Sequence, residues 1–109
     1  MNKIAYICSP YRASDRGSVD DHKEYARQLV KWAIEHGYTP ICPHLYLTEV
    51  LNDENPEERE KGRQLGLELL SACGLIIVGS TYGISEGMLA EMKRADRLGL
   101  TFHEVYKIK

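Results

Sequence analysis

Short apolar runs alternate with longer amphipathic segments along the chain. The apolar runs are four to seven residues long and rich in strand-forming side chains, which predicts strands at residues 3–8, 39–42, 75–78 and 100–106. Between them, apolar positions recur three or four residues apart, which predicts helices at about residues 18–36, 55–72 and 85–98 and a short helix at residues 45–51.

Helix start and stop signals support these boundaries. Ser18 or Asp20 could cap the first helix, and Gly37 follows its last apolar position. Asn55 before Pro56 is typical of a helix start. The last helix has Ser85 as a candidate cap and ends before Gly99; its predicted apolar stripe is Met88, Leu89, Met92 and Ala95.

Strands separated by helices are typical of a parallel sheet that is covered on both faces. With right-handed crossovers, four such strands form an α/β, Rossmann-like (flavodoxin-like), doubly wound sheet of order 2-1-3-4. Its winding reverses between the first and third strands, where such folds bind ligands at the carboxyl ends of the strands. The loops that leave these two strands are residues 9–18 and 79–85, the most turn-rich parts of the chain.

Composition narrows the classes of protein that fit. A length of 109 residues predicts one domain, residues 1–109. The 14 basic and 16 acidic residues give a net charge of -2, which argues against nucleic acid as a partner. No apolar run is long enough to span a membrane, and residues 1–4 leave no room for a signal peptide. Cys8, Cys42 and Cys73 have no metal-ligand spacing, so we expect reduced thiols, no metal, no cofactor and a cytoplasmic location.

At the predicted crevice, the last helix carries a carboxylate next to a glycine that leaves its surface open. Gly87 and Glu91 are four residues apart on the last helix, so a ligand could lie over Gly87 and meet the Glu91 carboxylate. A carboxylate in this position can attack an anomeric carbon and form a covalent glycosyl-enzyme. The alternative is a surface Glu91 that pairs with Arg94.

The two loops supply further polar groups. Ser85 and the amides at the helix start are suited to bind a phosphate. The remaining candidates for substrate binding are Ser9, Tyr11 for stacking, Arg12 for a forked contact with an anion, and His44 from the end of the second strand. Together they suit a nucleoside or a nucleotide. Cys8 is an alternative nucleophile, although an apolar strand end more often buries a thiol.

These residues resemble a known family. The segment from Ser85 to Glu91 is similar to the S-x-G-x-x-x-E motif of the nucleoside 2-deoxyribosyltransferase superfamily, which includes the 5'-nucleotide N-glycosidases. Residues 6–12 (YICSPYR) and 41–44 (ICPH) resemble its pocket segments, and the chain most resembles small phage and bacterial members. The resemblance spans nearly the whole chain. It implies that Glu91 is the nucleophile at the sugar C1', that Ser85 binds the 5'-phosphate and that Gly87 lies against the sugar.

One position departs from the family pattern. Where many active relatives carry an Asp directed into the site, this chain has Gly66, and the nearby Glu68 is expected to face elsewhere. Two functions therefore stay open: an N-glycosidase or deoxyribosyltransferase that uses Glu91, and a non-catalytic module that sequesters a nucleotide or a nucleotide-derived signal. A pure interaction domain is a third possibility. The family and the small core also imply a homo-oligomer, a dimer or larger.

Overall fold

A four-stranded parallel sheet forms the centre of the protein, which we describe from a computed structural model covering residues 2–107. The strand order is β2-β1-β3-β4, and every neighbouring pair is parallel. The strands are β1 (Ile4–Cys8), β2 (Thr39–Ile41), β3 (Leu75–Gly79) and β4 (Thr101–Val105). The predicted α/β doubly wound architecture and its 2-1-3-4 order are therefore confirmed.

Four α-helices connect the strands: α1 (Val19–Glu35), α2 (Leu47–Val50), α3 (Pro56–Leu70) and α4 (Glu86–Leu98). The short helix predicted at residues 45–51 is divided, because a 3-10 turn at Pro43–Leu45 precedes α2. Tyr46, between the two, has φ -133° and ψ -36°, which breaks the helical path. In the part of the chain that the structure describes, no helix is both long and apolar enough to cross a membrane.

Local capping explains where the long helices begin. Ser18, rather than Asp20, caps α1: its hydroxyl accepts the Asp21 amide at 3.0 Å, and the Asp21 carboxylate accepts the Ser18 amide at 3.0 Å. The Asn55 side chain accepts two amides of the first turn of α3. Gly99 ends α4 with φ 76°, a left-handed conformation that glycine adopts without strain.

Each face of the sheet buries its own core. The α1 face packs alternate strand residues such as Ala5, Ile7 and Ile77 against Ala26 and Leu29. The opposite face packs the other set of strand residues against α3 and α4, with Tyr6, Cys8, Ile76, Leu70, Met88 and Ala95. The central strands β1 and β3 are buried on both faces, which explains their continuous apolar runs in the sequence.

The apolar stripe of α4 is narrower than the sequence predicts. Met88 and Ala95 are buried, and Met92 packs against the same core. Leu89 is 45% exposed, so its assignment to the buried stripe is wrong. It lies about 100° around the helix from Met88, which turns it past the contact with the sheet.

Candidate functional site

A cleft of about 840 Å³ opens at the carboxyl ends of β1 and β3, where the winding of the sheet reverses. The loops that follow these two strands form its walls, together with the segment after β2 and parts of α3 and α4. Every site residue predicted from the sequence lies in its lining: Ser9, Tyr11, Arg12, His44, Ser85, Gly87 and Glu91.

Glu91 lies on the inner side of α4 with its carboxyl group buried. Its Oε2 accepts a hydrogen bond from the Tyr6 hydroxyl at 2.5 Å. Its Oε1 is also buried but has no partner among residues 2–107. The described residues contain no ion pair between Glu91 and Arg94, so the surface alternative for Glu91 is wrong.

Burial destabilises the charged form of the Glu91 carboxyl group. It raises the pKa of Glu91 from 4.5 to about 7, because the charged form loses its hydration. The hydrogen bond from Tyr6 opposes this rise. The carboxyl group therefore changes its charge near neutral pH, in a range that suits a group involved in chemistry.

Tyr6 is a site residue that the sequence analysis missed. It stands in the middle of β1, where an aromatic side chain is expected simply to fill the core. Burial and the neighbouring Glu91 raise the pKa of Tyr6 far above its ordinary value. The phenol therefore stays protonated and remains a hydrogen-bond donor to Glu91.

Two glycines leave space beside these groups. A Cβ on Gly66 of α3 would lie 2.9 Å from the Tyr6 hydroxyl oxygen and 3.6 Å from Glu91 Oε2. A Cβ on Gly87 would meet only the Ser85 Oγ, at 4.0 Å, so the surface above Gly87 is open. Glu68 is exposed and is not part of the cleft lining, as expected.

Ser85 caps α4 at the mouth of the cleft. Its Oγ accepts the Met88 amide at 3.2 Å. The amides of Glu86 and Gly87 belong to the first helical turn and have no acceptor within the helix. The predicted sequence of a strand, a turn and a capped helix start is therefore present, with Ser85 and Gly87 both in the cleft lining.

The first loop contributes an aromatic pair and an ion pair. The rings of Tyr11 and His44 stack with centroids 5.5 Å apart. Arg12 is directed to a carboxylate of the protein, since its Nε lies 3.3 Å from Asp53 Oδ2. Burial lowers the pKa of His44, although the adjacent main chain of Ser9 opposes this effect.

His22 is the second site residue that the sequence analysis missed. Its side chain is 1% exposed, lines the cleft and packs edge-on against Tyr82 at 4.8 Å. Burial lowers the pKa of His22. Its position precedes Ala26 and Leu29 by four and seven residues, so helical periodicity places it on the buried side of α1 and could have revealed it.

Buried polar atoms without a partner are concentrated in this cleft. Among residues 2–107 they are Ser9 Oγ, both ring nitrogens of His22 and Glu91 Oε1, and all three residues line it. Each unpaired buried group costs about 1–3 kcal/mol. These groups are available to hydrogen-bond a polar ligand or water.

The surroundings of Cys8 argue against its use as the nucleophile. Cys8 is fully buried, its thiol faces the Met88 carbonyl, and burial raises its pKa well above the ordinary value, so it is unsuited to be the alternative nucleophile. Within residues 2–107, no three His, Cys, Asp or Glu side chains are placed to hold a metal ion. Cys8, Cys42 and Cys73 are free thiols.

Comparison with solved structures supports the fold. A 2-deoxyribosyltransferase from the psychrotolerant bacterium Bacillus psychrosaccharolyticus superposes with a TM-score of 0.65. The match covers 93% of this chain and 70% of that enzyme at 18% sequence identity, so it establishes a shared Rossmann-like fold. A search of curated protein sequences found no match.

Comparison with family models gives the membership of the chain. One model matches residues 3–105, nearly the full length. The chain therefore belongs to the family described as Domain of unknown function (DUF7768).

Proposed function

We propose that the protein is an enzyme that cleaves or exchanges the N-glycosidic bond of a nucleoside or 5'-nucleotide, with Glu91 as the nucleophile. The observation that carries this proposal is the state of the Glu91 carboxyl group. One oxygen is held by Tyr6, and the other is buried and has no partner among residues 2–107. A carboxylate that is oriented on one side and open on the other is suited to attack carbon.

The proposed reaction has two steps. Glu91 Oε1 attacks the sugar C1', and the electrons of the breaking C1'–N bond leave with the base, which takes up a proton. In the second step water or a second base attacks C1', and the bond between C1' and Glu91 Oε1 breaks, which returns the free carboxylate. The attacking water or base gives up a proton to solvent; water completes hydrolysis, and the second base completes transfer. Two displacements at the same carbon give net retention of configuration.

The surrounding residues have separate tasks in this proposal. Tyr6 keeps Glu91 in position for attack, and Gly87 leaves room for the sugar over α4. Ser85 and the first amides of α4 bind an anionic group at the 5' end. The stacked rings of Tyr11 and His44 offer a flat surface to the base, and Ser9 and Arg12 complete the wall of the first loop.

Base release is the direct test. Purified protein is incubated with a panel of nucleosides and 5'-monophosphates, with and without a second free base, and the free and exchanged bases are quantified. We expect release that falls by about three orders of magnitude or more in Glu91→Gln. His103→Phe, on the exposed strand β4, is the matched control and should retain the activity. Release that survives Glu91→Gln would exclude Glu91 as the nucleophile.

The pH dependence of kcat/KM gives a second signature of the same group. Attack requires the ionised carboxylate, and the pKa of Glu91 is raised to about 7. Activity should therefore rise as the pH increases through about 7 and level off above it. A rise that is complete by pH 5 would contradict the assignment, because it would report an unperturbed carboxyl group.

A second function is favoured by Gly66. This position contacts Tyr6 and faces Glu91 but has no side chain that could donate a proton to a leaving base. A cleft with this composition also suits a non-catalytic module that holds a nucleotide or a nucleotide-derived signal. Ligand-dependent thermal stabilisation without any base release would favour the binding module over the enzyme.

The expected partners follow from this proposal. They are a small nucleoside or nucleotide, rather than nucleic acid or a membrane, and further copies of the same chain. Exposed apolar side chains on α4 and β4, among them Leu89, Leu98 and Phe102, are available for assembly into a homo-oligomer. Light scattering of the purified protein would give its oligomeric state.

A further inference from the structure

The cleft buries two further polar side chains that have no part in the chemical steps of the proposed reaction. Ser9 and His22 are each 1% exposed. The Ser9 hydroxyl and both ring nitrogens of His22 have no hydrogen-bond partner among residues 2–107. Both residues belong to the cleft lining, on the side formed by the first loop and the start of α1.

The His22 ring is fixed in this position by its neighbours. A Cβ on Gly17 would lie 2.9 Å from its Cε1, and the Tyr82 ring packs against it edge-on. The missing side chain at Gly17 therefore makes room for the ring, and Tyr82 packs against it. A neutral imidazole always carries one N–H donor, and here that donor is buried without an acceptor in the part of the chain that the structure describes.

The charged and titratable groups around His22 come from four elements. On α1, the Asp21 carboxylate is already bonded to the Ser18 amide. In the first loop, Arg16 extends to the Tyr82 carbonyl at 3.2 Å. After β2, His44 is the other imidazole of the cleft. Asp15 and Glu86 also belong to the cleft lining, and both residues are exposed.

The start of α4 lies on the same side of the cleft. Tyr82, which contacts His22, precedes the Ser85 cap by three residues, and both line the cleft. The first-turn amides of α4 present partial positive charge to the cleft. Together with the guanidinium of Arg16 and the orphan donor of His22, they make this side attractive to an anion.

We propose that His22 and Ser9 bind a phosphate monoester at the 5' end of the substrate, and that His22 is the residue by which the cleft selects a 5'-nucleotide over a nucleoside. This inference rests on the proposed function and assigns its substrate class. The phosphate oxygens accept hydrogen bonds from the imidazole and the hydroxyl. When the phosphate dianion binds, the imidazole takes up a proton from solvent, and both of its ring nitrogens are then N–H donors.

A neutral 5'-hydroxyl would not have the same effect. It could satisfy one nitrogen of His22, but it would provide no charge to stabilise the imidazolium in a buried site. A phosphate supplies both the hydrogen-bond acceptors and the opposite charge. Proton uptake that accompanies binding is therefore the property that distinguishes this role from simple packing.

The test measures binding without turnover. In a Glu91→Gln background, calorimetry gives the affinities of matched pairs of deoxynucleosides and their 5'-monophosphates, in buffers of different ionisation enthalpy at neutral pH. His22→Phe keeps the ring and removes its polar atoms, and His22→Gln keeps a donor that does not titrate. His103→Phe, on an exposed strand, is the control.

We expect the monophosphate to bind more tightly than the nucleoside and with net proton uptake. His22→Phe should lower the affinity for the monophosphate by about tenfold or more and change the affinity for the nucleoside by less than about twofold. His22→Gln should retain part of the affinity and lose the uptake, and His103→Phe should change neither. Because His22→Phe removes unpaired buried atoms, it should also leave the free protein folded and at least as stable.

Two results would overturn the inference. One is an equal loss of affinity for nucleosides and monophosphates, and the other is proton uptake that persists in both His22 variants. Base release by the wild-type chain would still support the proposed function in either case. Conversely, His22-dependent binding of monophosphates without any base release would support this inference and refute the enzyme.

Discussion

Two buried tyrosines occupy equivalent depths in the protein but use their hydroxyl groups differently. Tyr25 of α1 donates to the Val105 carbonyl and accepts the Thr81 amide, each at 3.2 Å. Tyr6 of β1 donates to the Glu91 carboxylate at 2.5 Å. The Tyr25 hydroxyl links α1 to the main chain at Thr81 and at Val105. The Tyr6 hydroxyl holds the carboxyl group of Glu91, whose other oxygen has no partner among residues 2–107.

The difference separates a structural hydrogen bond from one that prepares a site. Both partners of the Tyr25 hydroxyl are main-chain groups that would otherwise be left without these bonds. The Tyr6 hydroxyl instead stabilises a charge whose burial is unfavourable, and that charge faces the cleft. Burial alone does not distinguish the two residues; the partner of the hydroxyl does.

The largest expected effect is on the free energy of unfolding, which burial of the Glu91 carboxylate lowers. Its pKa is about 7 in the folded protein and 4.5 as an ordinary side chain, so the folded state binds more protons between these values. Stability should therefore fall as the pH rises from 4.5 to 7, and the full loss, on the order of 3 kcal/mol, is present above pH 7. Glu91→Gln should remove this loss and unfold at higher denaturant concentration than the wild type.

The measurement is the difference between the two proteins in free energy of unfolding, from about pH 4 to about pH 8. The difference is needed because the lowered pKa values of His22 and His44 make wild-type stability rise with pH in part of this range. A difference that stays constant with pH would show that Glu91 is not perturbed. The contrast between Tyr6 and Tyr25 would then lose its basis.

The next effect compares the two hydroxyl groups directly. Tyr25→Phe should lower the free energy of unfolding by about 1–2 kcal/mol, because it leaves the Thr81 amide and the Val105 carbonyl with one hydrogen bond fewer. It should not move the pH at which Glu91 titrates. Tyr6→Phe removes a hydrogen bond that lowers the pKa of Glu91, so the titration should move to higher pH.

Nuclear magnetic resonance of side-chain carboxyl carbons would follow the Glu91 titration in each variant. Equal titration curves in Tyr6→Phe and the wild type would mean that the hydroxyl does not act on Glu91. A shift in Tyr25→Phe as large as that in Tyr6→Phe would mean that the effect is general loosening of the fold.

The fold was predictable because its signals are local. Ser18, Asn55 and Ser85 cap helices through contacts within two or three residues, and these contacts can be inferred from the residues alone. The strand order followed from chirality once the alternation of strands and helices was recognised. The position of the cleft then followed from the reversal of winding.

The sequence indicated the candidate residues on loops and helix starts, and it indicated Glu91 through its spacing from Gly87, but it missed two residues inside regular elements. Tyr6 lies in a strand that is buried on both faces, so alternation does not indicate which side chain points to the cleft. His22 lies within an apolar helix face, where a polar residue attracts attention only when the whole face is traced. The partner of Arg12 is Asp53, 41 residues away in the sequence, and only the folded chain brings them together.

The smallest expected effect comes from replacing two glycines of α3, one of which lies beside the Tyr6 hydroxyl. The quantity compared is the free energy of unfolding. Replacing a helical glycine with alanine gains up to about 1 kcal/mol from backbone propensity. Gly62→Ala should show this gain, because its Cβ would meet Leu51 Cδ1 at an ordinary 3.5 Å. Gly66→Ala should not, because its Cβ would lie 2.9 Å from the Tyr6 hydroxyl oxygen.

Chemical denaturation and the Glu91 titration separate the two outcomes. If the close approach at Gly66 maintains the Tyr6–Glu91 hydrogen bond, Gly66→Ala moves the hydroxyl away and raises the pKa of Glu91, while Gly62→Ala leaves that pKa in place. Equal stabilisation by both substitutions, with no change in the Glu91 titration, would mean that the Tyr6 ring can shift to accommodate the new methyl group without loss of free energy. The hydrogen bond would then depend on the attraction between its two partners, and the absence of a side chain at Gly66 would have no part in it.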